Sequence, residues 1–126
     1  MSLIRIAQRN KEGEKKPTRY YSDRQEKSVA QAVSGTQSKN SGATFNEKSD
    51  VSVPGLFNIE CKTKTTPSGQ ITIRKEWIEK NEREAMFDGR PYSAIAFSFG
   101  PGESSHYIIS EELFSELVEY LRNRHE

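Results

Sequence analysis

The chain has 126 residues, 33% hydrophobic and 29% charged, which suits one soluble domain around a single modest core. No stretch approaches the ~18 apolar residues of a membrane-crossing helix, the first ten residues lack the apolar segment of a secretory signal, and the lone Cys61 excludes an internal disulfide, so the expectation is a cytoplasmic protein with no membrane partner. The net charge of +1 hides an asymmetry: residues 1–21 hold six Lys/Arg against two acids, residues 111–126 hold five Glu against two Arg, and the middle balances.

Residues 1–20 show many charges and little period and read as a mobile basic arm before one domain over 21–126. Lys15, Lys16 and Arg19 in that arm suit a polyanion, although a merely solvated tail has the same composition. Ser22 to Val33 is predicted helical, with Ser22 and Gln25 spaced as a capping box. Val29, Ala30 and Val33 make its apolar face, and Glu26 falls on that face. A carboxylate there is either paired, protonated or metal-bound inside, or sits at the edge of the stripe and reaches water. Residues 34–49 are rich in Ser, Gly and Asn and read as a long loop. Lys39, Ser41 and Lys48 within it are suited to phosphate oxygens.

Asp50 to Lys62 reads as two short strands joined at Pro54-Gly55. Alternation puts Phe57, Ile59 and Cys61 on one side and Asn58, Glu60 and Lys62 on the other. Cys61 is therefore a small core residue rather than a nucleophile. Val51 and Val53 join the core only if the connection is odd or bulged, pairing Val53 with Phe57 and Asp50 with Glu60. A third strand is predicted over 70–73. A helix follows from Arg74 or Lys75 to Phe87, with Trp77, Ile78, Asn81 and Ala85 inward, Trp77 being a core anchor more readily than a base-stacking platform. Gly89 and Pro91 end it. Tyr92 to Phe99 is a central strand, His106 to Ile109 a further one, and Ser110 caps a last helix with a stripe of Leu113, Phe114, Leu117, Val118 and Leu121. The order α-β-β-β-α-β-β-α makes an α/β chain, a mixed sheet flanked by helices.

Asp50 and Glu60 on one face of adjacent strands are the oxygen donors that a hard divalent cation such as Mg²⁺ prefers. A cation so held neutralises a phosphodiester and activates water. Lys62, two residues on and on the same face, can orient that water or stabilise the oxyanion. His106 and His125 have no partner at zinc-ligand spacing.

Asp50 followed by Glu60-Cys61-Lys62 resembles the PD-(D/E)XK nuclease motif. With Ser41-Gly42-Ala43 upstream, Glu26 on a helix and Ile71 to Lys75 downstream, the chain is similar to archaeal and phage Holliday junction resolvases over about residues 20–110. The proline that precedes the first acid of that motif is Ser49 here. The resemblance implies a restriction-endonuclease-like fold, Mg²⁺-dependent cleavage of branched DNA (with Mn²⁺ able to substitute) and a homodimer. It implies Asp50, Glu60 and the backbone carbonyl of Cys61 as metal ligands, Lys62 as the catalytic lysine, Glu26 as the helix-borne carboxylate and Ser41 as the loop serine near the scissile phosphate. Lys64 and Arg74 join the expected DNA contacts. Flaps, nicks or duplex sites are alternative substrates, and a non-enzymatic DNA-binding module is the alternative in kind.

Overall fold

A computed structural model describes residues 17–38 and 50–125. Helix α1 (Thr18–Val33) leads to strands β1 (Thr36–Gln37), β2 (Val51–Val53) and β3 (Phe57–Thr63). Helix α2 (Lys75–Phe87), strands β4 (Tyr92–Ser98) and β5 (His106–Ile108) and helix α3 (Glu111–Arg124) follow. The five strands form one sheet in the order β1-β2-β3-β4-β5, antiparallel except for the parallel β3–β4 pair, which α2 connects. The chain is thus α/β, with a mixed five-stranded sheet and three helices.

The expected element order is observed, but one strand has a different origin. No strand forms over 70–73. Both edges of β3 are already occupied, by β2 and β4, so that segment has no ladder to join. Ser68 also competes locally, its hydroxyl donating to the Gln70 carbonyl at 2.9 Å. The fifth strand is instead β1, inside the segment expected to be loop, where Thr36 and Gln37 pair with Ser52 and Val51. Ser34, left-handed at φ 52°, ends α1 and turns the chain toward the sheet.

Gly35 then packs so closely that a Cβ there would lie 2.6 Å from the Ser52 carbonyl oxygen. Gly35→Ala is expected to push β1 and β2 apart and cost about 1–3 kcal/mol, read as a lower urea midpoint with an unchanged m-value. Unaltered unfolding would show that this contact is not needed.

Helix α1 starts at Thr18, four residues before the expected Ser22 and three before the expected domain boundary. Pro17 occupies the N-cap at φ −55° and ψ 145°, and no side chain caps this end. The Ser22–Gln25 capping box is therefore not one: both residues lie inside the helix, and Gln25 is buried.

The two helices α1 and α2 cover opposite faces of the sheet. Val29 and Ala30 of α1 pack on Val51, Ile59, Cys61, Ala94 and Ala96, the face with the small residues that let a helix approach. On the other face Asn81 of α2 donates to the carbonyls of Asn58 and Ala94 at 3.2 and 3.0 Å. Gln25 of α1 does the equivalent from its side, donating to Lys62 and Ala96 carbonyls at 2.8 and 3.3 Å. Each helix thus pins β3 to β4 with one amide. Helix α3 is different: Ser110 caps it, its Oγ accepting from the Leu113 N–H at 3.1 Å, but of the expected stripe only Leu113 is buried.

Candidate active site

The β2–β3 hairpin turns through Pro54, Gly55 and Leu56, with Gly55 at φ 74° and Val53 directly across from Phe57. The odd connection follows from the requirement that both valines share the core face with Phe57 and Ile59. Carried one residue past the Val51–Ile59 pair, the same register sets Asp50 across from Glu60. Asp50 is half-buried, and its Oδ2 accepts a hydrogen bond from the Cys61 N–H at 2.8 Å. Its carboxylate thereby continues the ladder where β2 stops. Within a strand the N–H and C=O of one residue point to the same edge, so the Cys61 carbonyl also faces the Asp50 edge.

Glu60 and Lys62 project on the α2 face. Lys62 Nζ lies 3.4 Å from Glu60 Oε1 and 4.1 Å from the centroid of the Trp77 ring. The ammonium is thus held between a carboxylate and an aromatic face. Trp77 is only half-buried, so it is neither a closed core anchor nor a free base platform but the wall against which Lys62 rests. Burial and, next, the Asp50 charge raise the Glu60 carboxyl to about 7, with Lys62 and Lys80 opposing. Lys80 was not among the expected residues; it reaches Glu60's surroundings from α2 while pairing with Glu84 at 3.9 Å.

Glu26 is 4% exposed, which overturns the reading in which it reaches water from the edge of the stripe. It comes from α1, on the sheet face opposite Glu60. The Cys61 thiol, pushed up first by its own burial, is pushed further by Asp50, Glu26 and Glu60. The three carboxylates therefore surround Cys61 from both faces and one edge of β3. Cys61 itself is buried and held protonated, the core residue that alternation predicts.

Gln25 is a further residue of the site. It holds the main chain of Lys62 in place, and its Oε1 is buried without a hydrogen-bond partner among the described residues. Its position on the inward face beside Glu26 was the available signal, masked by the capping-box reading.

Among the expected DNA contacts, Lys64 follows β3 on the side of Glu60 and Lys62 by alternation, and Arg74 stands at the N-cap of α2, 5.9 Å from the Trp77 ring and 3.3 Å from Glu76. Arg19 is exposed in the first turn of α1. Lys15, Lys16, Lys39, Ser41 and Lys48 lie outside the described residues. The Ser38 N–H donates to the Asp50 carbonyl at 3.0 Å.

Among the described residues no three His, Cys, Asp or Glu side chains already form a metal cage. The donor set at the hairpin edge is two carboxylates and a main-chain carbonyl, all oxygen. It fits a hard cation that keeps several waters, as Mg²⁺ does, and does not fit zinc. Comparison with protein-family models, with curated proteins and with solved structures finds no match for this chain.

Proposed function

We propose that the chain is a Mg²⁺-dependent DNA endonuclease of the PD-(D/E)XK type, restriction-endonuclease-like in fold, that hydrolyses phosphodiesters in branched DNA as phage and archaeal Holliday junction resolvases do. The observation that carries the reading is the close set of Asp50 and Glu60 at the open end of the hairpin, with Lys62 on the same face as Glu60. Asp50, Glu60 and the Cys61 carbonyl would hold the ion, and Mn²⁺ would substitute. When bound, the ion supplies charge neutralisation at the scissile phosphate and an acidified water.

The chain's own groups do the rest. Lys62, steadied by the Trp77 ring, would donate hydrogen bonds from its ammonium, either to a phosphate oxygen as charge develops there or to the attacking water to orient it. Asp50 is fixed through Oδ2 by the Cys61 N–H, so its carboxylate keeps one direction. Glu26 is the helix-borne carboxylate of the proposed site, reaching the surroundings of Cys61 from α1. Lys64 and Arg74 extend the cationic side away from the carboxylates, and Lys39, Ser41 and Lys48 belong to the segment that precedes Asp50 in the chain. A four-way junction presents two related phosphates, which a homodimer with two related sites matches. A phage source would set the work in the host-cell cytoplasm.

The Glu60–Lys62 ion pair is also what a non-catalytic DNA-binding module carries. Against that stands the second carboxylate. A structural ion pair gains nothing from Asp50, whose charge raises Glu60 rather than stabilising it. The test is cleavage of a labelled four-way junction over a Mg²⁺ titration, with flap, nicked and plain duplex DNA alongside. The wild type is expected to cut the junction best. Asp50→Ala and Glu60→Ala are expected to bind it without cutting. Cutting by both purified variants overturns the site; preference for another substrate overturns only the resolvase assignment.

Trp77→Leu is expected to free Lys62 to follow Glu60 alone and to lower kcat about three- to tenfold with KM little changed, since a cation–π contact of this kind is worth about 0.5–2 kcal/mol. Single-turnover cleavage at saturating enzyme measures it. An unchanged rate would mean the ring does not position the lysine.

A further inference from the structure

We propose that the sheet face carrying Lys62 also holds an unpaired nucleobase of a DNA strand, stacked on an aromatic row made by Phe97, His106 and Phe99. This deepens the nuclease reading and rests on it for what the strand is held for; the base contact itself is tested apart from cleavage.

The register lays the row out. Lys62 of β3 pairs with Phe97 of β4, and Phe97 pairs with His106 of β5. Residues directly across from one another share a face, so the three side chains stand side by side on the α2 side of the sheet. The His106 ring stacks on Phe97, with centroids 5.6 Å and planes 29° apart. Phe99, two residues on and on the same face, completes the group at 5.5 Å from Phe97 and 6.0 Å from His106.

These rings are not part of the core, which lies between α1 and the opposite face. Phe97 and Phe99 are half-buried, and His106 is exposed. One row back, Ile95 pairs with Ile108 and is only 2% exposed, so aliphatic side chains do close the face there. The sheet turns aromatic in the row where it opens to solvent. Strand β5 is the last of the sheet, so His106 has a strand neighbour on one side only. Its ring can take a flat partner on the other and extend the stack.

The charges beside the rings point to the occupant. Lys62 begins the row, with Glu60 reaching it from the row behind at 3.4 Å. Carried past the Thr63–Ser98 pair, the same register would set Lys64 across from Phe99. Lys75 is exposed at the start of α2. Rings beside lysines suit a nucleic-acid strand, with bases on the rings and phosphates on the ammonium groups. A paired base is already stacked on its neighbours, whereas an unpaired one has its faces free. Neighbouring strands lie about 4.8 Å apart, so His106 stands about 10 Å from β3. A base there belongs to a nucleotide close to the phosphate at Lys62. The substrate class is therefore DNA with an unpaired nucleotide beside the cut, as at an open branch point, with little preference among the bases because every base has a face to stack.

The test is fluorescence anisotropy in EDTA, where nothing is cut, on the full chain with a short labelled oligo(dT) and with an abasic strand of the same length that keeps the phosphates and lacks the bases. The wild type is expected to bind oligo(dT) at least fivefold more tightly than the abasic strand. His106→Ala is expected to lose most of that preference while binding the abasic strand as the wild type does, and His106→Tyr to keep it. Because His106 is exposed, both variants are expected to retain the circular dichroism and urea midpoint of the wild type. Equal binding of the two strands by the wild type, an unchanged preference in His106→Ala, or tighter binding of the matching RNA strand overturns the proposal. Junction cleavage in Mg²⁺ by the same wild-type preparation separates the two readings. Cleavage without the base preference removes the platform and leaves the nuclease; the base preference without cleavage keeps the platform and removes the nuclease.

Discussion

Glu60→Gln is expected to stabilise the metal-free protein above pH 7 while abolishing Mg²⁺-dependent cleavage. Glu60 titrates at about 7 rather than 4.5 because burial and the Asp50 charge both oppose its ionised form. Between those two values the folded state holds a proton that the unfolded chain has released. Stability therefore falls as pH rises through that window and stays reduced above it. The full shift corresponds to about 3 kcal/mol. Gln removes the titration and, with it, the ion pair to Lys62, worth at most about 1 kcal/mol at such a partly open position. The net gain expected at pH 8 is about 1–2 kcal/mol, and none at pH 4, where Glu60 is protonated and resembles Gln. Denaturation in EDTA at the two pH values measures it. Added Mg²⁺ should then raise the stability of the wild type and not of the variant, because only the former offers the second carboxylate. The cost is catalytic, about a thousandfold or more in the rate of junction cleavage. A variant that gains nothing at pH 8 and still cuts would remove Glu60 from the site. The stability that the wild type forgoes is the expected mark of a group kept for chemistry.

The hairpin was legible because three independent demands met in it. Val51, Val53, Phe57 and Ile59 had to share a face, the strands alternate with period two, and Pro54-Gly55 marks a turn; together these fix the register that brings Asp50 to Glu60. Helix α2 and strand β4 were legible for a similar reason, with strong apolar spacing bounded by Gly89 and Pro91. The errors fall where local pattern meets tertiary competition. Gln70 to Ile73 alternates like a strand, but β3 has no free edge for it. Thr36-Gln37 carries no strand signal of its own and is held by Gly35's approach to Ser52, by pairing with β2 and by the Gln37–Asp23 hydrogen bond at 2.8 Å. Gln25 looked like a cap because its spacing from Ser22 is right; Pro17 starts the helix earlier and frees it to reach Lys62. In the site, residue types were readable and supports were not. Nothing in a linear pattern says that Lys62 lies over Trp77 or that Lys80 faces Glu60, since both contacts cross from β3 to α2. Nor did the stripe of α3 announce that most of it faces outward, because an inward and an outward stripe carry the same period.

Asp50 has two duties, and two substitutions separate them. As the acceptor for the Cys61 N–H it closes the ladder at the end of β2; as a charge beside Glu60 it is one of the two carboxylates of the proposed ion site. Asp50→Asn retains an acceptor oxygen of the same reach and discards the charge. Asp50→Ala discards both and leaves the Cys61 N–H without that partner, a loss of about 1–3 kcal/mol for a group in this partly enclosed position. Both variants are expected to lose junction cleavage by about a thousandfold, because a neutral amide is a poor ligand for a hard dication beside a single remaining carboxylate. Only Asp50→Ala is expected to unfold early. In Asp50→Asn the unfolding midpoint should even rise slightly at pH 8, since Glu60 then loses the charge that opposes its ionisation and titrates closer to the ordinary carboxylate range. Cleavage rates and urea midpoints on the same two preparations give four numbers. Equal destabilisation of both variants would show that charge, not the hydrogen bond, holds the strand end. Near-normal cleavage by Asp50→Asn would make Asp50 a cap and nothing more, and the chemistry would have to be sought around Glu60 and Glu26 instead.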